Sequence, residues 1–61
     1  MRDINRIDKF CQRLAEAWKN VPDWRFGQII ENLKRAMGKE DIFYIEDNEM
    51  IDYIENYFKD Y

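Results

Sequence analysis

Apolar residues recur every three or four positions along most of this chain, and that spacing limits its possible folds more than any other feature. Ile4, Ile7, Phe10, Cys11, Leu14, Trp18 and Val21 fall on one stripe of an α-helix. Phe26, Ile29, Ile30, Leu33 and Met37 form a second stripe, and Met50, Ile51, Ile54, Tyr57, Phe58 and Tyr61 a third. Three amphipathic helices joined by short connections cover one another's stripes by packing around one core. The expected fold is therefore all-α: a compact three-helix bundle with helices over about 4–20, 24–37 and 48–60. A helical hairpin that completes its core by dimerising is the main competitor.

The boundaries have local causes. Asp3 can cap the first helix by accepting from free N–H groups of the first turn, and Asp23 and Asp47 can do the same for the second and third. Pro22 disfavours helical geometry at Val21 and so ends the first helix. Gly38 suits the left-handed position after the second. Gly27 costs about 1 kcal/mol inside a helix relative to Ala, which a close helix crossing would explain. Residues 39–46 lack a helical period, and Ile42-Phe43-Tyr44-Ile45 is too short to build a sheet, so an extended connector laid over the bundle is expected. Glu55 and Lys59 have the spacing of a favourable i,i+4 pair.

At 61 residues the chain is one helical domain, 1–61. A domain that small removes only about 60% of its unfolded surface from water. With 46% hydrophobic and 16% aromatic residues it is too rich in core-forming side chains to be disordered. No apolar run has the length of a membrane span and the start lacks a signal-peptide pattern, so no membrane contact and a cytoplasmic location are expected. Cys11 has no second cysteine to pair with, and its place in the first stripe makes it a small core residue.

Histidine, serine and threonine are all absent. There is thus no Ser-His or Cys-His pair, no Thr nucleophile, no imidazole ligand and no P-loop hydroxyl. Paired carboxylates are the only general acid/base option left, and the chain is expected not to be an enzyme. No cofactor is expected. Glu46-Asp47-Asn48-Glu49 lacks the length and glycine of a calcium loop, so helix capping explains it better than a metal site.

The net charge of −3 hides an asymmetry of +3 over residues 1–38 and −6 over residues 39–61. Arg2, Arg6, Lys9 and Arg13 fall within about 60° of one another on the first helix, forming a basic stripe expected to face solvent. Glu49, Asp52, Asn56 and Asp60 form an acidic outer face on the third. The basic stripe could contact nucleic acid, and the acidic face could imitate a phosphate backbone and so inhibit a host enzyme. Simple attraction between the first and third helices is the plainer reading of both.

Arg25, Gln28 and Asn32 share one flank of the second helix. They can either recognise a partner or satisfy the backbone of the 42–45 connector, with Arg25 pairing Glu46 or Asp47. Trp24 is either an exposed aromatic anchor or a staple packing back on the first helix. Tyr53, Tyr57, Phe58 and Tyr61 exceed what one small core absorbs and should leave contact area, including that of a homodimer.

The segment Pro22-Asp23-Trp24-Arg25-Phe26-Gly27-Gln28-Ile29-Ile30-Glu31-Asn32-Leu33, followed by Asp41-Ile42-Phe43-Tyr44-Ile45-Glu46-Asp47-Asn48-Glu49-Met50, resembles a family of small uncharacterised bacterial and prophage proteins. Their pattern is P-D-x-R-x-G-Q-[LI]-I-x-N, then D-x-F-Y-x-E-D-x-E. The resemblance implies a mobile-element setting and marks Arg25, Gly27, Gln28, Asn32, Phe43, Tyr44, Glu46, Asp47 and Glu49. The expected function is a regulatory or protein-interaction role. A protein partner would be met through the second and third helices and the 42–49 connector, with Trp24 added to those residues.

Overall fold

In the computed structural model, which describes residues 2–59, the chain forms three helices: α1 (Asn5–Trp18), α2 (Phe26–Met37) and α3 (Asp47–Phe58). Each is shorter than its apolar period suggests, because the turns on either side use the flanking residues. Asp3 behaves as expected, its Oδ1 accepting the Asn5 N–H at 3.0 Å. At the other end of α1, Trp24 N–H donates to the Val21 carbonyl at 3.0 Å and closes a turn with Pro22 and Asp23 at its centre. Proline's fixed φ suits the first central position of such a turn. Asp23 is thereby used in the turn and does not cap α2. The cap position falls to Arg25, whose N–H donates to Gln28 Oε1 at 2.7 Å. That is one half of a capping box, and the reciprocal bond cannot form because a guanidinium has no acceptor.

Gly38 closes α2 as expected. At φ 69° it lets its own N–H reach the Arg35 carbonyl and the Lys39 N–H reach the Lys34 carbonyl. Gly27 corrects the sequence reading, since a Cβ there would meet nothing within 4 Å and no helix crosses at that point. At the start of α3 the cap position is Glu46 rather than Asp47, which lies in the first turn with Glu49. Negative charge at that end is favoured by the helix dipole.

The core consists of Ala17, Val21, Ile29, Leu33, Ile51, Ile54 and Phe58. Phe10, Leu14, Trp18, Trp24, Met50, Tyr53 and Tyr57 pack around it, half-buried. Trp24 sits edge-on to Phe58 with ring centroids 5.5 Å apart, and the Trp18 Nε1–H donates to the Trp24 carbonyl at 2.9 Å. Trp24 is therefore half-buried rather than an exposed anchor, but its ring packs on Tyr57 and Phe58 of α3, and its contact with α1 is made through its backbone carbonyl. No side chain buried in the core is polar among the described residues. Specificity here rests on shape and on surface ion pairs.

Three parts of the apolar pattern lie outside this core. Ile4 is 76% exposed and Ile7 and Cys11 are exposed, so the stripe on α1 outruns the neighbours that could cover it, and Cys11 is not a core residue. Phe26, at the first position of α2, is 50% exposed. The connector is not a strap over the bundle. Asp41 Oδ1 accepts the Phe43 N–H at 2.9 Å and the Ile45 N–H reaches the Ile42 carbonyl at 3.2 Å, making a tight turn. Ile42 and Ile45 are half-buried, whereas Phe43 and Tyr44 project at 81% and 85% exposure. Asp60 and Tyr61, expected in α3, lie outside the described residues.

Candidate functional site

Helices α1 and α3 are the most closely packed pair and run in the same direction. In rising order, Arg2 pairs with Glu46 at 3.0 Å, Arg6 with Asp47, and Arg13 with both Asp52 and Glu55. The Arg13 fork is the strongest of these contacts. Its Nε and Nη2 reach the two oxygens of Glu55 at 2.8 and 2.6 Å, and Nη2 also reaches Asp52 at 2.8 Å. These hydrogen bonds push the Arg13 guanidinium further up in pKa, Glu55 contributing most and Asp52 next. The bonds from Arg13 hold the Glu55 carboxyl below its ordinary value.

The basic stripe of α1 is solvent-exposed as expected, and it also faces the acidic flank of α3. Three of its four cations are engaged there, with Lys9 exposed beside them. The expected Glu55–Lys59 pair does not form, because Arg13 takes both Glu55 oxygens. Arg25 pairs with neither Glu46 nor Asp47, whose carboxylates are held by Arg2 and Arg6. Glu49 is exposed in the first turn of α3.

A second surface lies on α2. Trp24, Arg25, Phe26, Gly27, Gln28, Ile30, Glu31, Asn32 and Arg35 line a broad, open groove of about 950 Å³. It gathers four of the residues expected to recognise a partner: Trp24, Arg25, Gln28 and Asn32. Gln28 is committed by its carbonyl oxygen to the Arg25 N–H, so structural capping accounts for that part of the flank. The flank does not support the 42–45 backbone, which makes its own turn.

Sequence reasoning placed Phe26 and Ile30 in the core and did not assign Arg35 to a protein contact, so it missed their place in this groove. The signal available was position: Phe26 opens its helix, where a stripe residue has no preceding turn to cover it.

A third surface is the turn tip, where the Phe43 and Tyr44 rings meet edge to face with centroids 4.9 Å apart. Glu40 and Asp41 stand exposed beside them. Phe43 and Tyr44 do not line the groove, so the residues expected to form one site divide between two surfaces. Glu46 and Asp47 belong instead to the ion pairs with α1.

Among the described residues no cluster of three metal-ligating side chains occurs, and no helix is long and apolar enough to cross a membrane. Comparison of the chain with protein-family models, with curated proteins and with solved structures finds no match.

Proposed function

We propose that this chain is a non-catalytic protein-interaction module, regulatory in effect, that meets a protein partner through the α2 groove and the Phe43-Tyr44 turn. The observation that carries the reading is the pairing of large exposed aromatic surface with an open, arginine-lined groove in a chain that lacks His, Ser and Thr. Aromatic side chains and arginine dominate the energetics of protein interfaces. An open groove suits side chains offered by another protein better than a small ligand, which needs most of its surface enclosed. A phage or mobile-element setting agrees with the resemblance of the α2 and connector segments to prophage proteins.

Nucleic-acid binding through Arg2, Arg6, Lys9 and Arg13 is a weaker reading. Phosphates would have to displace Glu46, Asp47, Asp52 and Glu55 from three of those cations. The same pairs weaken the reading of α3 as an acidic nucleic-acid mimic, since its carboxylates are partly neutralised from within the chain.

The test is capture from bacterial lysate with three immobilised forms: wild type, Phe26→Ala/Arg35→Glu and Phe43→Ala/Tyr44→Ala. A partner retained by wild type and lost by either double variant supports the module. Equal recovery on all three refutes it.

A further inference from the structure

The two contact surfaces of this chain are complementary to each other, and we infer that a second copy of the chain is a partner, its Phe43-Tyr44 turn seated in the α2 groove. This rests on the reading of groove and turn as contact surfaces and adds the occupant.

The arginines divide into two groups. Of the five in the chain, Arg2, Arg6 and Arg13 are held by carboxylates of α3 or its cap, whereas Arg25 and Arg35 form no ion pair among the described residues. Both uncommitted arginines line the groove. Its one carboxylate, Glu31, stands 3.8 Å from Lys34 and is partly neutralised there. Trp24, Phe26 and Ile30 supply its apolar lining, and the exposed Arg25 and Arg35 make it positive.

The turn has the opposite character. Residues 39–45 contain Glu40 and Asp41 against the single cation Lys39, Glu46 being held by Arg2, and they carry the two most exposed large hydrophobic side chains in the described chain, Phe43 and Tyr44. An acidic, aromatic projection and a cationic, apolar groove on the same molecule satisfy both demands of an interface: dehydrated aromatic contact and opposite potential around it.

The groove runs along α2 as far as Arg35, and the turn lies beyond that helix. The turn does not enter the groove of its own chain, so the contact must join separate molecules. If two chains exchange the contact reciprocally the product is a symmetric dimer; if each chain offers only one contact to the next, it is a ring or filament.

Mixing complementary variants tests this directly. Arg25→Glu/Arg35→Glu disables the groove, and Phe43→Ala/Tyr44→Ala disables the turn. All four positions are exposed, so both variants should fold, which far-UV circular dichroism verifies. Sedimentation equilibrium of the wild type should show association above the 7.6 kDa monomer, weakening in 0.5 M NaCl because the charge contribution is screened. Each variant alone should sediment as a monomer. Their equimolar mixture should form a one-to-one heterodimer, since one supplies an intact turn and the other an intact groove.

A wild type that stays monomeric up to roughly 1 mM overturns the inference, as does association that persists in either variant or a mixture that fails to associate. If the wild type is monomeric yet lysate capture still depends on Phe26 and Arg35, self-association fails while the interaction-module reading stands. If the mixture associates but no lysate partner is found, self-association stands alone.

Discussion

Truncating Leu33 to alanine tests whether α2 is seated on the core, the part of the fold on which the groove depends. Leu33 and Ile29 are the residues that α2 buries completely, both at 0% exposure. Leu33→Ala removes buried methyl groups and leaves a cavity, a change that costs about 2–5 kcal/mol. A domain below about 70–80 residues rarely has more than about 3–5 kcal/mol in hand. The variant should therefore lose most of its helical signal near room temperature or require added osmolyte to fold. Ile29→Val provides the graded counterpart: about 0.5–1.5 kcal/mol, which at about 4–8 °C per kcal/mol lowers Tm by roughly 2–12 °C. Ile4→Ala, at a position 76% exposed, should change stability by less than about 0.5 kcal/mol. Urea titrations followed by far-UV circular dichroism measure all three. A cost below about 1 kcal/mol for Leu33→Ala, where burial predicts at least twice that, would refute the seating of α2 and remove the basis for a fixed groove.

The remaining predictions concern backbone, charge and one buried contact. Gly27→Ala should stabilise the chain by about 0.5–1 kcal/mol, because a Cβ meets nothing there, and the urea midpoint should rise. Gly38→Ala should instead lower it by about 1 kcal/mol or more, since φ 69° is strained for any residue with a Cβ. Glu55 is held below its ordinary 4.5 in the folded state, so its pairing with Arg13 stabilises the fold fully above that pH and the benefit is lost as pH falls through the lowered value. Glu55→Gln should therefore flatten the acid side of the stability profile, read by Tm from pH 7 down to pH 3. Trp18→Phe keeps most of the packing but removes the bond to the Trp24 carbonyl, and should cost about 1 kcal/mol in the same urea assay.

Spacing located all three helices, because a buried stripe must recur at the helical period whatever its neighbours are. It misjudged Ile4, Ile7 and Cys11, since periodicity marks the apolar face without saying how far along it another element reaches. The 60° arc of the basic stripe was legible from α1 alone, but its opposition to α3 was not, because it depends on how two helices are turned about one another. Asp23 and Asp47 were misplaced as caps by the ordinary imprecision of boundaries; Gln28, three residues after Arg25, was the better signal. The turn at Phe43-Tyr44 had a readable cause in Asp41, an aspartate two residues before the N–H it accepts. Bulky β-favouring neighbours concealed it. The division of the expected binding residues between groove and turn could emerge only from three-dimensional placement.

The Arg13 fork bears on the time the bundle stays closed. Its partners lie 39 and 42 residues along the chain, so the two ends of a long loop must meet before any of its hydrogen bonds can form. If such contacts form after the folding barrier, they slow unfolding without speeding folding. Loss of Arg13 should then leave the refolding rate nearly unchanged and raise the unfolding rate. In that role the fork serves as a latch, lengthening the lifetime of the native chain at a site remote from the groove on α2.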